Sequence, residues 1–148
     1  MASWSEFESA APDLAARVRT LFDANKHKTM ATLRKDGSPR ISGTETDFRD
    51  GELFIGSMWQ ALKAKDLQRD PRFALHSPTS DPDNDWPGEA KIAGLAEEQP
   101  MTEHNGEPSH SFRLDVTEVS WVRVNEEKTH LLIDVWTPDK GAHTIKRT

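Results

Sequence analysis

The chain has 148 residues, a formal net charge of −6 at pH 7 and no cysteine, and 34% of its residues are hydrophobic. This length is typical of one domain, and the lack of cysteine excludes disulfides, thiolate nucleophiles and cysteine metal sites. Lysine and arginine are scattered, which argues against nucleic-acid binding. No apolar run is long enough for a membrane-spanning helix, and the first eight residues, which contain acids and no basic n-region, are not expected to be a signal peptide. We therefore expect a cytoplasmic protein, polar enough to complete its burial against a partner.

The N-terminal part of the chain predicts one helix, from Pro12 to Ala24. Apolar side chains recur along it at helical spacing, at Leu14, Val18, Leu21 and Phe22. Pro12 and Asp13 suit its first turn, where a missing N–H costs little and a negative charge is favoured.

From residue 29 the pattern changes to short strands joined by tight turns. The first three strands are expected at Thr29–Arg34, Arg40–Phe48 and Leu53–Ser57. They are connected by Asp36-Gly37 and Asp50-Gly51, turn pairs in which glycine accepts a positive φ. The pattern predicts an antiparallel meander.

The second half predicts a short helix followed by more strands. The helix is expected at Gln60–Arg69 and ends at Asp70-Pro71, because the residue before a proline avoids the helical region. Further strands are expected at Phe73–His76, Ala90–Ala96, Phe112–Val116, Val119–Val124, His130–Trp136 and, as a last edge, His143–Arg147. Gly94 is expected to form a bulge, while 78–88 and 97–108 are expected to be loops. The regular spacing of turns favours a barrel or a sandwich.

Three stretches of this pattern carry a family resemblance. They are residues 31–40 (ATLRKDGSPR), residues 51–57 with 63–72 (GELFIGS and KAKDLQRDPR), and residues 89–97 (EAKIAGLAE). In this order and spacing they resemble the pyridoxamine 5'-phosphate oxidase-like, FMN-binding split-barrel superfamily, over roughly residues 12–136. The resemblance implies a mainly β fold, a six-stranded antiparallel split β-barrel with a few short helices. The single domain would comprise a helix at about 12–24, a barrel at about 28–136 and a tail at 137–148.

The resemblance also implies a homodimer with FMN at the subunit interface. Carried onto this chain, it places Arg40, Ser42 and Thr44 along the flavin, Ser57 near the phosphate and Lys63 as the phosphate-binding lysine. A lysine offers the phosphate a point charge and an arginine offers it a planar fork, and free N–H groups at a helix start suit an anion. The alternatives are a solvated lysine at 63, ordinary strand residues at 40, 42 and 44, and a helix-capping serine at 57.

Tryptophan and histidine supply the remaining candidates. Trp59, which lies between Ser57 and Lys63, is the best placed to line the flavin. Weaker candidates for the flavin site or the dimer seam are Trp86, Trp121 and Trp136, with core packing as the alternative. His104 and His110 are expected to be exposed loop residues, no histidine set predicts a metal site, and no motif predicts a catalytic triad.

The function implied is that of a flavin-dependent oxidoreductase acting on an unidentified small molecule. No catalytic side chain is assigned, because a bound flavin supplies the redox chemistry itself. Pyridoxamine phosphate is disfavoured as the substrate, since the family's oxidases use a tyrosine and this chain has none. The alternatives are a deazaflavin-dependent reductase, with a basic groove at Lys63, Lys65, Arg69 and Arg72, and a non-catalytic flavin- or haem-binding module.

Overall fold

The computed structural model describes residues 1–83 and 85–147. Asn84 in the predicted 78–88 loop and Thr148 in the predicted tail lie outside the described residues. The helices are α1 (Trp4–Ala10), α2 (Pro12–Asp23) and α3 (Leu62–Arg69). The strands are β1 (His27–Leu33), β2 (Pro39–Arg49), β3 (Glu52–Met58), β4 (Arg72–His76), β5 (Glu89–Glu98), β6 (Thr102–His104), β7 (Glu107–Val124), β8 (Leu131–Thr137) and β9 (Gly141–Arg147).

Six of the strands close into an antiparallel barrel in the order β3-β2-β1-β4-β5-β7, because β7 also pairs with β3. The predicted tight turns join β1 to β2 and β2 to β3, and Gly37 and Gly51 both have positive φ. The hairpin of β8 and β9 continues the sheet beyond β7. The expected mainly β fold, a six-stranded antiparallel barrel with a few short helices, is confirmed.

Strand β7 is continuous from Glu107 to Val124, where the sequence pattern indicated two segments separated by a bend. Its first half pairs with β3 and its second half with β8, while β5 follows it on the other side. The β5–β7 register shifts between Ala93 and Gly94, which confirms the predicted bulge. A Cβ at Gly94 would lie 1.8 Å from the carbonyl oxygen of Asp115, so only glycine allows this approach.

The helix α1 has no counterpart among the sequence predictions. Ser3 and Glu6 form a capping box, in which each side chain accepts a hydrogen bond from the backbone N–H of the other residue. Trp4 and Phe7 point into the core, and the Phe7 ring lies 5.0 Å from the ring of Trp136. A helix of seven residues is too short to show periodicity, so the Ser-x-x-Glu spacing was its one signal.

Helix α2 begins at Pro12 as predicted and ends one residue early, at Asp23. Its predicted apolar stripe is buried, at Leu14, Val18, Leu21 and Phe22. Helix α3 begins at Leu62 rather than at Gln60, because Gln60 has a φ of +60° and Ala61 is extended. Within the described residues, no helix is long and apolar enough to cross a membrane.

The predicted loop at 97–108 contains a hairpin instead. Strand β6 pairs with the start of β7, and Asn105 and Gly106 form the turn between them, both with positive φ. This is the Asn-Gly turn that favours two-residue hairpins. The prediction was wrong because the flanking residues are polar and gave no alternating apolar pattern.

Replacing Gly94 by alanine should destabilise the barrel by about 1–3 kcal/mol, because the added methyl group overlaps the backbone of β7. Urea denaturation measures the effect. Gly43→Ala is the matched control, since a Cβ there meets nothing within 4 Å. Equal unfolding midpoints for the two variants would contradict the claim that the close approach of β7 requires glycine at position 94.

Candidate functional site

Helix α3 is fastened to β1 and β2 by the buried carboxylate of Asp66, which is 2% exposed. Its Oδ2 accepts hydrogen bonds from Arg40 Nε at 2.7 Å and from Thr32 Oγ1 at 2.8 Å. Its Oδ1 accepts from Arg69 Nη2 at 3.0 Å. Asp66, Thr32, Arg40 and Arg69 are together called the Asp66 cluster. Two guanidinium groups share one carboxylate in it, so the cluster has a net positive charge.

The charge of Asp66 is maintained by its donors. Burial raises the pKa of Asp66, but hydrogen bonds from Arg40, Thr32 and Arg69 outweigh burial and hold that pKa below its ordinary value. A buried carboxylate is stable when its oxygens are paired and hydrogen-bonded. Asp66 therefore acts as a structural anion, and Arg40 is oriented by it.

The half-buried lysine at position 63 lies one turn earlier on α3. Its Nζ donates to Thr44 Oγ1 and to the carbonyl oxygen of Gly43, each at 3.2 Å. Among residues 1–83 and 85–147, no carboxylate lies within ion-pair distance of it. The pKa of Lys63 is lowered because its ammonium group is sheltered from water and has no counter-charge among these residues. Such a group favours an anionic ligand.

The predicted residues of β2 share one face of that strand. Side chains alternate along a strand, and Arg40, Ser42 and Thr44 are sheltered while their neighbours Ile41 and Gly43 are exposed. Arg40 reaches α3 through Asp66, and Thr44 reaches it through Lys63. The structure thus brings Arg40, Thr44 and Lys63 to the contact of α3 with β2, and Ser42 lies between Arg40 and Thr44 on the same face of the strand.

Ser57 belongs to a neighbouring cluster. It is buried near the end of β3 and pairs in register with His110 of β7. Its hydroxyl donates to the carbonyl oxygen of Met58 at 3.4 Å, and its own carbonyl accepts from Ser109 Oγ at 3.1 Å. It does not cap α3, whose N-terminus has no side-chain cap. Ser57 has no hydrogen bond to Lys63.

Trp59 stacks on His110, with ring centroids 4.5 Å apart and planes 12° from parallel. His110 is 6% exposed and lies within β7, so the expectation of an exposed loop histidine was wrong. Its Nε2 accepts the backbone N–H of Gln60 at 3.1 Å, and its Nδ1 lies 3.2 Å from Glu98 Oε1. Both ring nitrogens are engaged. No spacing in the sequence points to this residue, because only the β3–β7 register brings it to Trp59.

The other candidate tryptophans are held elsewhere. Trp136 is buried against Phe7 in the core. Trp121 donates to the carbonyl oxygen of Pro87 at 3.0 Å and packs under the guanidinium of Arg17. Trp86 is half-buried in the 78–88 loop. No contact of these three with Lys63 or the Asp66 cluster is found in the part of the chain that the structure describes, and Trp59 stays the candidate nearest to Lys63 along the chain.

A scan against family models found no match for the sequence, and neither did a search of curated proteins. Solved structures do match. A pyridoxamine 5'-phosphate oxidase-related, FMN-binding protein from Nostoc punctiforme PCC 73102 superposes with a TM-score of 0.63 at 12% identity, over 96% of this chain and 97% of that one. The chain has the pyridoxamine 5'-phosphate oxidase-like split-barrel fold.

Other proteins share this split barrel. An F420 reductase has a TM-score of 0.54 at 20% identity, over 69% of this chain and 94% of its own. A heme-binding protein from Mycobacterium smegmatis has a TM-score of 0.58 at 14% identity, over 90% of this chain and 87% of its own. Likeness at these identities establishes the fold, so the choice of cofactor depends on the chemistry of the site.

Two of the four basic residues expected to form a groove for a deazaflavin tail are paired with carboxylates. Arg69 donates to Asp66 and to the carbonyl oxygen of Leu33, and Arg72 pairs with Asp70. Lys65 is exposed to solvent. Of the four residues expected to form the groove, Lys63 alone is both sheltered and without a carboxylate partner. Its surroundings suit one compact anion better than an extended polyanion.

Replacing Asp66 by asparagine should lower the free energy of unfolding by about 2–4 kcal/mol, because Arg40 loses its counter-charge in a sheltered place. Urea denaturation at neutral pH measures this change. Asp47→Asn is the matched control, since Asp47 pairs with Arg49 in an exposed ion pair and should matter little.

The effect of Asp66 should also depend on pH. The pKa of Asp66 in the folded state lies below its ordinary 3.8. The stabilisation that ionised Asp66 gives to the fold is therefore complete above pH 3.8, and it is lost as the pH falls through the lower, folded-state pKa. The difference between wild type and Asp66→Asn should therefore shrink in acid. A difference that stayed constant down to about pH 2 would contradict an ionised Asp66.

Proposed function

We propose that this split-barrel protein is an FMN-binding oxidoreductase that acts on a small molecule. The observation that carries the proposal is Lys63, a sheltered ammonium group without a carboxylate partner in the described part of the chain. The flavin phosphate has nearly two negative charges at neutral pH and would supply the missing counter-charge. The FMN-binding protein of the same fold supports flavin as the ligand.

The residues around Lys63 fit a phosphate. The two contacts of its Nζ are long, at 3.2 Å each, and both are to neutral oxygens. A bond to a phosphate oxygen would be stronger, because the donor and the acceptor would then both be charged. Arg40 is bound to Asp66 through Nε, which leaves its terminal amino groups to reach a ligand. The hydroxyls of Ser42 and Thr44 lie on the same face of β2.

The ring of the flavin would lie towards Trp59. The indole of Trp59 has one face on His110 and is partly exposed. An aromatic side chain fixed in this way can pack against a tricyclic ring. FMN supplies hydride transfer when it is bound, while the side chains of the chain bind and orient it.

We further propose that the site is completed by a second copy of the chain. Large apolar side chains are exposed at the start of α3 and on the turn before it, with Met58 at 83%, Trp59 at 47% and Leu62 at 58% exposure, and Ile41 is exposed on the other face of β2. Apolar residues concentrated at one place on a surface indicate an interface. A homodimer that buries them would cover the flavin from the open side, which agrees with a cofactor shared between subunits.

Replacing Lys63 by methionine should weaken FMN binding by about tenfold to a hundredfold, because the phosphate loses its cationic partner. Riboflavin has the same ring without the phosphate, so its affinity should not change. Quenching of flavin fluorescence measures both affinities. Lys65→Met, two residues along α3 and exposed, is the control.

The pH dependence of FMN binding gives a second measurement on the same residue. Burial lowers the pKa of Lys63 from 10.5, so FMN affinity should fall as the pH rises through that lowered value, while Lys63→Met should lack this loss. The assignment would be wrong if the variant kept wild-type FMN affinity, or if the wild type bound riboflavin as tightly as FMN.

Replacing Leu62 by glutamate should convert the dimer to monomer and weaken flavin binding, because a charge cannot be buried unpaired at the subunit interface. Light scattering coupled to size-exclusion chromatography measures the mass. Ile145→Glu is the control, since Ile145 is exposed on β9, outside the barrel. A wild-type monomer that binds FMN would refute the shared site.

A further inference from the structure

We propose that His110 positions Trp59 against the flavin ring, and that it does so only as the neutral imidazole with its proton on Nδ1. This inference rests on the proposed flavin site and assigns it a positioning residue outside the phosphate contacts. It makes binding of the ring sensitive to the protonation of one buried side chain.

The hydrogen bonds of His110 define its tautomer. The backbone N–H of Gln60 can only donate, so Nε2, at 3.1 Å from it, has to accept and carries no proton. The proton of the neutral ring then lies on Nδ1, which donates to Glu98 Oε1 at 3.2 Å. Glu98 is held in turn by Gln68 of α3, whose Nε2 donates to both carboxylate oxygens.

The segment that His110 holds is a strained turn. Gln60 has a φ of +60°, a left-handed conformation that residues with a Cβ rarely adopt. The turn closes through the N–H of Ala61, which donates to the carbonyl oxygen of Met58 at 3.1 Å. Two contacts with His110 maintain it, the hydrogen bond from Gln60 and the stack with Trp59. This turn connects Ser57 to Lys63, so its conformation affects where Trp59 and both of these residues lie.

His110 is well placed to act as the fixed partner. It lies within β7, paired with Ser57 of β3, and Ser109 donates to the carbonyl oxygen of Ser57. The strands provide a rigid frame, whereas the turn at 58–61 has few hydrogen bonds of its own. The orientation of Trp59 is therefore set by the ring beneath it.

The groups that face His110 define what protonation would do. Strand β5 contributes Glu98, the one charged group in contact with the ring among the described residues. The turn contributes the indole of Trp59 and the amide of Gln60, β7 itself contributes Phe112, and α3 acts through Gln68. Nε2 already accepts the N–H of Gln60, so a proton on Nε2 would confront that N–H with a second donor. Protonation would therefore break the bond that maintains the turn.

The first test uses the protein without flavin. A protonated imidazole stacked on an indole quenches its fluorescence, so acid should lower the contribution of Trp59, taken as wild type minus Trp59→Phe. This change should be absent from His110→Phe and His110→Gln. A Trp59 signal that titrates equally in His110→Phe would overturn the stacked geometry.

The second test measures riboflavin, which has no phosphate to titrate. His110→Phe should weaken riboflavin and FMN equally, by about tenfold at neutral pH, whereas Lys63→Met should affect FMN alone. His110→Gln, whose amide oxygen can accept from Gln60, should stay within about threefold of wild type. His104→Phe, an exposed histidine of β6, is the control.

The outcomes separate this inference from the proposed function. If the wild type binds riboflavin and His110→Phe matches His104→Phe, the positioning role is overturned while the flavin site stands. If the wild type binds neither flavin, the proposed function fails and the role of His110 in it fails too. The fluorescence titration without flavin then shows whether the His110–Trp59 stack was itself correct.

Discussion

The buried carboxylate of Asp66 is the interaction on which the arrangement of the site depends. It joins three elements at one point, because Thr32 comes from β1, Arg40 from β2 and Arg69 from α3 itself. A carboxylate buried this deeply requires its donors, and the donors are oriented by it in return. The same contact that fastens α3 to the barrel therefore fixes the direction of Arg40 and brings Lys63 to β2.

The positive charges of the site are distributed unequally as a result. Arg40 and Arg69 share one carboxylate, and Arg72 has its own in Asp70, while Lys63 meets only neutral oxygens within residues 1–83 and 85–147. A cation that is sheltered and unpaired has a cost that an anionic ligand would relieve. Counting basic residues along α3 would not have separated Lys63 from its neighbours. Lys63 differs from these neighbours because they have carboxylate partners or exposure to solvent in the folded protein.

Much of the fold was predictable because its signals are local. The helix from Pro12, the turns at Asp36-Gly37 and Asp50-Gly51, and the bulge at Gly94 each depend on a residue whose backbone preference is strong. The prediction was wrong where the signal was weak. Helix α1 is too short for periodicity, and the hairpin at Asn105-Gly106 has polar flanks. Gln60 adopts a left-handed conformation that nothing in its sequence favours.

By itself, the sequence determined most of the order of elements, with α1 and β6 missing, and a group of residues on β2 and α3 that the family resemblance assigns to a flavin. Tertiary structure alone decided which of them are free to bind, since Asp66 reaches Arg40 across 26 positions of the chain. It also decided that His110, 50 positions from Gln60, lies beneath Trp59. The physical reason is that strand register and helix packing join residues distant in the chain. Local preferences along one segment contain no information about which distant partner a side chain will meet.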